Sequence, residues 1–273
     1  MKQNIENKNE FQNVKTNKTS FIVFIVAILG CIIAASIIVW NLYTQYQAGR
    51  ENTISSLPTI CATIPKSGGN TSSKTTTVID GVDFTALQKI NPDICAYIKI
   101  PNTHVNYPVT YAVGGNINFY LDHNYKKQYE FAGCIYIEAN NKRNFSDPNT
   151  VLYGHDMLNL SMFGSLSYFR TDKFFNSNPY IYVYIPGHKL TYKIFSAYDY
   201  DNRHILNSFD FSNKEVYQKY LNYATNPTDA SNVHKRNIKV TTNDKIITLS
   251  TCFHNIESRR YLVQGVLIKD EQY

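Results

Sequence analysis

The chain has 273 residues, a formal net charge of +6 at pH 7 and 43% hydrophobic residues. This apolar content is enough for a folded core and excludes an intrinsically disordered chain, while 12 glycines and 9 prolines exclude collagen-like and low-complexity sequences. Four of the 27 basic residues lie within the first 20 positions, and no Lys/Arg cluster is long enough to follow a phosphate backbone. We therefore expect no nucleic-acid partner.

Residues 21–40 form an apolar segment without a charged residue. As a helix rising about 1.5 Å per residue, the segment would span roughly 30 Å, which is the thickness of the hydrocarbon core of a bilayer. A signal peptide usually has a shorter apolar core of about 7–15 residues, so the length favours an uncleaved anchor over a cleaved leader. Lysines precede the segment and the next charges, Arg50 and Glu51, cancel, so the positive-inside rule places the N-terminus in the cytoplasm.

A polar segment and then a folded domain follow the anchor. Residues 47–80 are rich in Ser, Thr, Gly and Asn, which is typical of a flexible linker. We therefore predict a single-pass cell-membrane protein whose folded domain is extracytoplasmic. Its four segments are a cytoplasmic tail at 1–20, a transmembrane anchor at 21–40, an extracytoplasmic linker at 41–81 and a folded domain at 82–273.

Short β-type runs dominate the folded domain. A helix is predicted at 82–91, a second helical patch at 161–169 and a third at 212–224, where Ser212 and Glu215 have the spacing of a capping box. Runs rich in β-branched and aromatic residues, separated by turn signals, predict strands at 95–100, 105–110, 133–139, 150–155, 180–185, 189–198, 245–252 and 261–268. Eight strands in this pattern predict a mainly β fold, namely a closed or nearly closed β-barrel with peripheral helices.

The five cysteines do not form a metal-binding pattern. Cys31 lies in the apolar segment, and the other four would permit two disulfides, so the sequence leaves the oxidation state of Cys61, Cys95 and Cys134 open. The sequence has no CxxC motif and no His spacing that suggests zinc. We expect neither a metal nor a cofactor.

Three ends of predicted strands carry residues that suit thiol chemistry. Cys252 ends one strand, His155 ends another directly after Gly154, and Arg260 opens the last. A histidine can take the proton of a thiol or stabilise the thiolate, and an arginine offers a permanent forked donor to a carbonyl oxygen or an oxyanion. Each residue alone is more often structural, as a buried cysteine, a loop histidine or a surface charge. Their combination favours a nucleophilic site.

This combination resembles the sortase family. The YGH motif at 153–155, the TLSTC motif at 248–252 and Arg260 before an apolar strand are similar to the sortase signature TLxTC with a downstream arginine. The positions that resemble class B sortases are 91–101, 105–108, 120–121, Gly133 and 161–164, together with the helix at 212–224. The resemblance extends over about residues 84–269 and implies the eight-stranded sortase barrel.

The resemblance implies a membrane-anchored cysteine transpeptidase. Cys252 would attack the Thr carbonyl of a C-terminal sorting motif, NPxTN-like or SPKTG-like, and an amine of a peptidoglycan precursor or a pilin lysine would resolve the thioacyl enzyme. His155 would exchange protons with the thiol and with both amines, and Arg260 would hold the substrate carbonyl or the oxyanion. Ser250 and Thr251 would shape the substrate groove. The implied partners are surface proteins with a C-terminal sorting signal, the peptidoglycan-precursor amine and the membrane.

Alternatives stay open for the residues and for the function. His254 is closer in sequence to the cysteine than His155 is, Asp156 could orient the imidazole, and Arg259 competes with Arg260. Adjacent strand residues face opposite sides, so one arginine at most enters the cleft. The family pattern favours His155 and Arg260. The other functions are a non-catalytic tethered barrel that binds cell wall or surface proteins, and a cysteine endopeptidase that releases its product to water.

Overall fold

The structure, a computed structural model, describes residues 2–47, 78–112, 116–253 and 256–273. The chain divides into two compact units, Met1–Tyr46 and Gln47–Tyr273. The first unit is a helix, α1, at Lys2–Gln47. Its stretch Ser20–Thr44, 25 residues long, is apolar and long enough to cross a membrane, and it includes the predicted anchor. This helix therefore fits a single-pass membrane anchor.

The second unit consists mainly of β-strands. Its helices are α2 Phe84–Ile90, α3 Asp172–Ser177, α4 Ile205–Ser208 and α5 Lys214–Thr225, with 3₁₀ turns at Phe119–Leu121 and Gly164–Arg170. Its strands are β1 Val78–Ile79, β2 Val82–Asp83, β3 Ile94–Lys99, β4 Asn106–Thr110, β5 Ile135–Ile137, β6 Asn149–Tyr153, β7 Tyr180–Ile185, β8 His188–Asp201, β9 His234–Lys235, β10 Ile246–Phe253 and β11 Ile256–Gln272.

Eight of these strands close into a barrel. The order is β11, β10, β6, β5, β4, β3, β7, β8, and the pairing of β8 with β11 completes the ring. Neighbours are antiparallel except for β4 with β5 and β6 with β10, which are parallel. Each predicted strand overlaps one barrel strand, so the predicted eight-stranded barrel is confirmed. The two-residue strand β9 pairs with Ser196 and Ala197 of β8.

The alternation of side chains along β10 separates the barrel core from a second core under α5. Ile247 and Leu249 are fully buried in the barrel interior, and Ile246 packs in the cluster that includes α5. Burying side chains of this size is worth about 1.5–3 kcal/mol each. The two clusters hold β10 on both faces, and this makes it a rigid support for residues at its end.

A buried polar network joins α5 to the barrel. The side chain of Gln264 on β11 is 0% exposed and donates to the hydroxyls of Tyr220 at 2.6 Å and Thr248 at 2.9 Å. Its carbonyl oxygen accepts from the hydroxyl of Tyr198 at 3.0 Å, and Thr248 in turn donates to Asn149 at 2.9 Å. Since buried polar groups are costly when they are unpaired, this network fixes the helix at one position on the sheet.

The helix predicted next to Ser212 is present as α5, but its cap is one residue further on. The side chain of Asn213 accepts from the backbone N–H groups of Glu215 and Val216. Ser212 instead donates its hydroxyl to Asp210 at 2.6 Å. The prediction of a capping box that starts at Ser212 is therefore wrong.

The other two predicted helices are shifted at their starts. The first is α2, which begins at Phe84 because Asp83 is its N-cap and accepts from the N–H of Ala86 at 3.0 Å. The patch predicted at 161–169 is a 3₁₀ turn, Gly164–Arg170, followed by α3. Leu160 and Met162 have φ angles of 65° and 50°, a left-handed conformation that a right-handed helix cannot include.

Two of the cysteines with an open oxidation state form no disulfide within the described residues. Cys95 and Cys134 are both buried thiols, while Cys61 lies outside the described residues. Burial raises the pKa of the Cys95 thiol to about 12 and also raises that of Cys134. Neither thiol is therefore disposed to act as a nucleophile.

Candidate active site

A cavity of about 360 Å³ lies at the edge of the barrel where β6, β10 and β11 meet. Because β6 runs parallel to β10 and β11 runs antiparallel to it, the C-terminal ends of the first two strands and the start of the third share this edge. Cys252, His155 and Arg260 all line the cavity. The closure of the barrel thus brings together the three residues that the sequence analysis selected.

Cys252 lies directly opposite Arg260. Their Cα atoms are partners in the pairing of β10 with β11, immediately before an irregularity at Cys252/Phe253. Cross-strand partners have Cβ atoms about 4.5–5.5 Å apart on the same face of a sheet, so the guanidinium can reach a group bonded to the thiol. Arg260 is half-buried, whereas Arg259 is exposed and does not line the cavity. Arg260 also donates to the carbonyl of Arg259 at 3.0 Å.

The imidazole of His155 is held by a backbone carbonyl and by an aromatic ring. Its Nε2 lies 2.7 Å from the carbonyl oxygen of Leu121, and its ring stacks on Phe131 with centroids 5.7 Å apart and planes inclined by 14°. Burial lowers the pKa of His155 below the ordinary value of 6.5, against the opposing effects of the Leu121 carbonyl and of Asp122. The neutral ring, which can accept a proton, is therefore favoured.

Gly154 allows the chain to reach the cavity. A Cβ at this position would lie 2.4 Å from Ile135 Cδ1 and 2.8 Å from Phe163 Cδ2, so a larger residue would force these two side chains to shift. The N–H of Gly154 donates to the carbonyl of Ser250 at 3.3 Å and so extends the parallel pairing of β6 with β10. His155 is thereby carried to the same edge as the end of β10.

The two residues expected to shape the groove lie on opposite faces of β10. Ser250 is buried and lines the cavity. Thr251 is also buried but is not among the residues that line the cavity, because alternation along the strand turns it to the other face. The geometry fits a groove role for Ser250 and does not fit one for Thr251.

The alternative residues have other surroundings. His254 lies outside the described residues. Asp156 forms an isolated backbone bridge with Met162, and the ring of His155 bonds to the carbonyl of Leu121. In the parts of the chain that the structure describes, no three His, Cys, Asp or Glu side chains gather closely enough to hold a metal ion.

A buried carboxylate in the same cavity escaped the sequence analysis. Glu138 is 5% exposed, and its Oε2 lies 2.8 Å from Nε2 of His204. Burial, together with the charge of Glu138 and a hydrogen bond to it, raises the pKa of Tyr153. Nδ1 of His204 accepts from the N–H of Asn207 at 3.2 Å, so its Nε2 is the donor to the carboxylate. This contact ties the connection between β8 and α4 to the end of β5.

The arrangement supports acyl transfer to a thiol. A carbonyl placed above Cys252 would have the sulfur on one side, a base at His155 and a cationic donor at Arg260.

Comparison with known proteins identifies the family. The model of the Sortase domain matches residues 98–268. The chain belongs to the sortase family. Sortase B of Listeria monocytogenes is 31% identical over 185 residues, which cover 67% of this chain and 72% of the relative.

Solved structures agree with this assignment. Clostridium perfringens sortase B is 36% identical with a TM-score of 0.60, covering 68% of this sortase and 99% of that chain. A Staphylococcus aureus sortase B–substrate complex is 30% identical with a TM-score of 0.60, covering 68% of this sortase and 84% of that chain. The resemblance to class B is thus confirmed, and this sortase is a cysteine transpeptidase that anchors or processes surface proteins.

Proposed function

We propose that this sortase cleaves a C-terminal sorting motif of the NPxTN or SPKTG type after its Thr and joins the surface protein to a cell-wall amine. The observation that carries the proposal is the convergence of Cys252, His155 and Arg260 on one cavity at the barrel edge. The solved complex of S. aureus sortase B with a substrate supports a sorting-signal substrate for this chain as well.

The first half of the reaction forms a thioester. His155 takes the proton of the Cys252 thiol, and the sulfur attacks the carbonyl carbon of the motif's Thr. Arg260 donates to the carbonyl oxygen as it becomes an oxyanion. When the intermediate collapses, the bond between the carbonyl carbon and the peptide nitrogen breaks, and the leaving amine takes the proton from His155.

The second half transfers the acyl group to a new amine. The nitrogen of the peptidoglycan-precursor amine attacks the thioester carbon, and His155 accepts the proton that this nitrogen loses. Arg260 holds the second oxyanion in the same position. Collapse breaks the carbon–sulfur bond, and the thiolate of Cys252 recovers its proton from His155, so the enzyme returns to its starting state.

The proposal extends to the arrangement in the cell membrane. Lysines before the apolar segment and balanced charges after it favour a cytoplasmic tail at 1–20 and an anchor at 21–40. The linker at 41–81 and the catalytic domain at 82–273 would then lie outside, where sorting signals and peptidoglycan precursors are accessible.

A transpeptidation assay on the full chain in detergent tests the proposal. Internally quenched peptides with NPxTN or SPKTG motifs are incubated with and without an added amine, and the products are separated by mass. Cys252→Ala is expected to lower cleavage by more than about a thousandfold. Cys31→Ala, which removes a thiol from the apolar helix, is the matched control and is expected to behave like the parent.

Two results would contradict the proposal. If Cys252→Ala cleaves as fast as the parent, the thiol mechanism is wrong. If the parent cleaves but never incorporates the amine, the chain acts as an endopeptidase on these substrates.

A further inference from the structure

One contact of His155 indicates which of its ring nitrogens carries the proton. The carbonyl oxygen of Leu121 can only accept a hydrogen bond, so Nε2, 2.7 Å away, must be the donor. In the neutral ring Nδ1 is then the unprotonated nitrogen. We propose that the Leu121 carbonyl and Phe131 are positioning groups that hold His155 in this tautomer, and that Nδ1 is the atom that exchanges protons with Cys252. This inference rests on the proposed role of His155 as the base.

The Leu121 carbonyl is itself held in place. It belongs to the 3₁₀ turn that includes Tyr120, whose carbonyl accepts from the N–H of Cys134 at 2.9 Å. Gly133 has a φ of +56°, and a Cβ at this residue would lie 2.4 Å from the Leu121 oxygen. The chain thus places a residue without a side chain against the same carbonyl that bonds His155. Any larger residue at position 133 would push that oxygen away.

Phe131 has a position that the barrel core does not explain. Its side chain is 50% exposed, yet its ring lies nearly parallel to that of His155. A ring that lies nearly parallel to one face of the imidazole limits the tilting of the imidazole. The stack and the carbonyl act on different parts of the same ring, and together they fix both its plane and its rotation.

The charged groups near the ring are compatible with this assignment. Asp122 follows Leu121 in the chain and acts on the charge of His155, but its carboxylate pairs with Nδ1 of His123 at 2.7 Å. Cys252 and Arg260 line the cavity that His155 also lines. The acceptor that fixes the tautomer is therefore the backbone carbonyl of Leu121 and not a carboxylate.

The tautomer determines the path of the proton. The proton leaves Sγ of Cys252 for Nδ1 of His155, and the resulting imidazolium keeps its Nε2–H bond to the Leu121 carbonyl. The same proton then passes from Nδ1 to the nitrogen of the leaving amine. The hydrogen bond to the carbonyl persists through both transfers and favours the charged ring, so the ring does not have to rotate between them.

Nitrogen NMR on the full chain in detergent, labelled with ¹⁵N-histidine, tests the tautomer directly. The His155 signals are assigned by their loss in His155→Gln. In the neutral ring, Nε2 is expected to show the shift of a protonated nitrogen and Nδ1 that of an unprotonated one. The reverse pattern would overturn the proposal.

Steady-state kinetics of variants at Phe131 and Gly133 test whether these residues position the His155 ring. Phe131→Ala is expected to lower kcat about tenfold with KM within about twofold of the parent, because the base loses its orientation. Phe131→Tyr restores the stack and most of kcat. Tyr129→Ala is the control, because that side chain is 75% exposed and its ring contacts His123. Gly133→Ala is expected to lower kcat further and to give a mixture of tautomers.

Thermal unfolding of each variant separates loss of positioning from loss of structure. If Gly133→Ala does not fold, Phe131→Ala decides, since an exposed ring is not needed for folding. Parent-like kcat and parent-like ¹⁵N shifts in folded Phe131→Ala would overturn the role of the stack. A Cys252→Ala chain that still turns over would overturn the proposed function instead, and it would leave the NMR result on the tautomer intact.

Discussion

Replacing Arg260 tests the geometry of the cleft more selectively than replacing the nucleophile does. The Cα atoms of Arg260 and Cys252 are direct partners across two barrel strands. Their Cβ atoms are expected about 4.5–5.5 Å apart, so the guanidinium lies within reach of an oxygen on a carbonyl bonded to the sulfur. Arg259, one residue earlier, is exposed and provides a matched control of the same chemistry outside the cavity.

The expected loss of activity is that of removing one hydrogen-bond donor to an oxyanion. Loss of one such donor costs about 10²–10³-fold in kcat, or about 2.7–4 kcal/mol of transition-state stabilisation. We expect Arg260→Ala to lower kcat/KM by this factor. Arg260→Lys keeps the charge but loses the planar fork, so it should recover about tenfold of the loss. Arg259→Ala should stay within about twofold of the parent, since a surface charge contributes little.

The assay is steady-state cleavage of a quenched sorting-motif peptide by the full chain in detergent, with thermal unfolding measured in parallel. Unfolding temperatures close to the parent's would show that the variants are folded. The role assigned to Arg260 is wrong if Arg259→Ala loses as much activity as Arg260→Ala. It is also refuted if Arg260→Ala retains kcat/KM within about threefold of the parent, since that loss is far below the effect of one oxyanion donor.

Three further predictions follow from burial. A thiol reagent should label Cys252 and not Cys95 in the native chain, because burial raises the pKa of Cys95 to about 12; labelled Cys95 in a mass map would contradict this. The pKa of the His155 ring should be found by NMR below its ordinary 6.5, and a midpoint at or above 6.5 would contradict this. Because the folded state binds that proton more weakly than the unfolded state, the stability that is present above pH 6.5 should be lost as the pH falls from 6.5 through the lower folded-state pKa. Gln264→Leu should lower the free energy of unfolding in urea by about 2–4 kcal/mol, because it leaves buried hydroxyls unpaired; a change below about 0.5 kcal/mol would contradict this.

Local patterns in the sequence were sufficient for the barrel strands. The run predicted at 180–185 is β7, Tyr180–Ile185, because strand character depends on β-branched and aromatic residues that are close in sequence. The start of α5 could not be predicted in the same way. Ser212 and Asn213 are both good N-cap residues, and the choice between them is made by Asp210, which binds the Ser212 hydroxyl.

The site was predictable only where a motif marks it. Cys252, His155 and Arg260 were selected from short motifs at strand ends, and the structure places them on one cavity. The contact of Glu138 with His204 joins segments that are distant in sequence and meet only when the barrel closes. The Leu121 carbonyl that orients His155 has no signature at all, because every residue has a carbonyl and only the fold decides where it points.

Detection of an acyl enzyme would show whether Cys252 is the nucleophile. The full chain is mixed with a sorting-motif peptide in the absence of an amine, and the protein is digested and mapped by mass spectrometry. We expect the N-terminal peptide fragment, ending at its Thr, to be bound to the sulfur of Cys252 and to be released when an amine is added. A fragment bound to another residue, or cleavage without any bound fragment that persists in Cys252→Ala, would contradict this expectation.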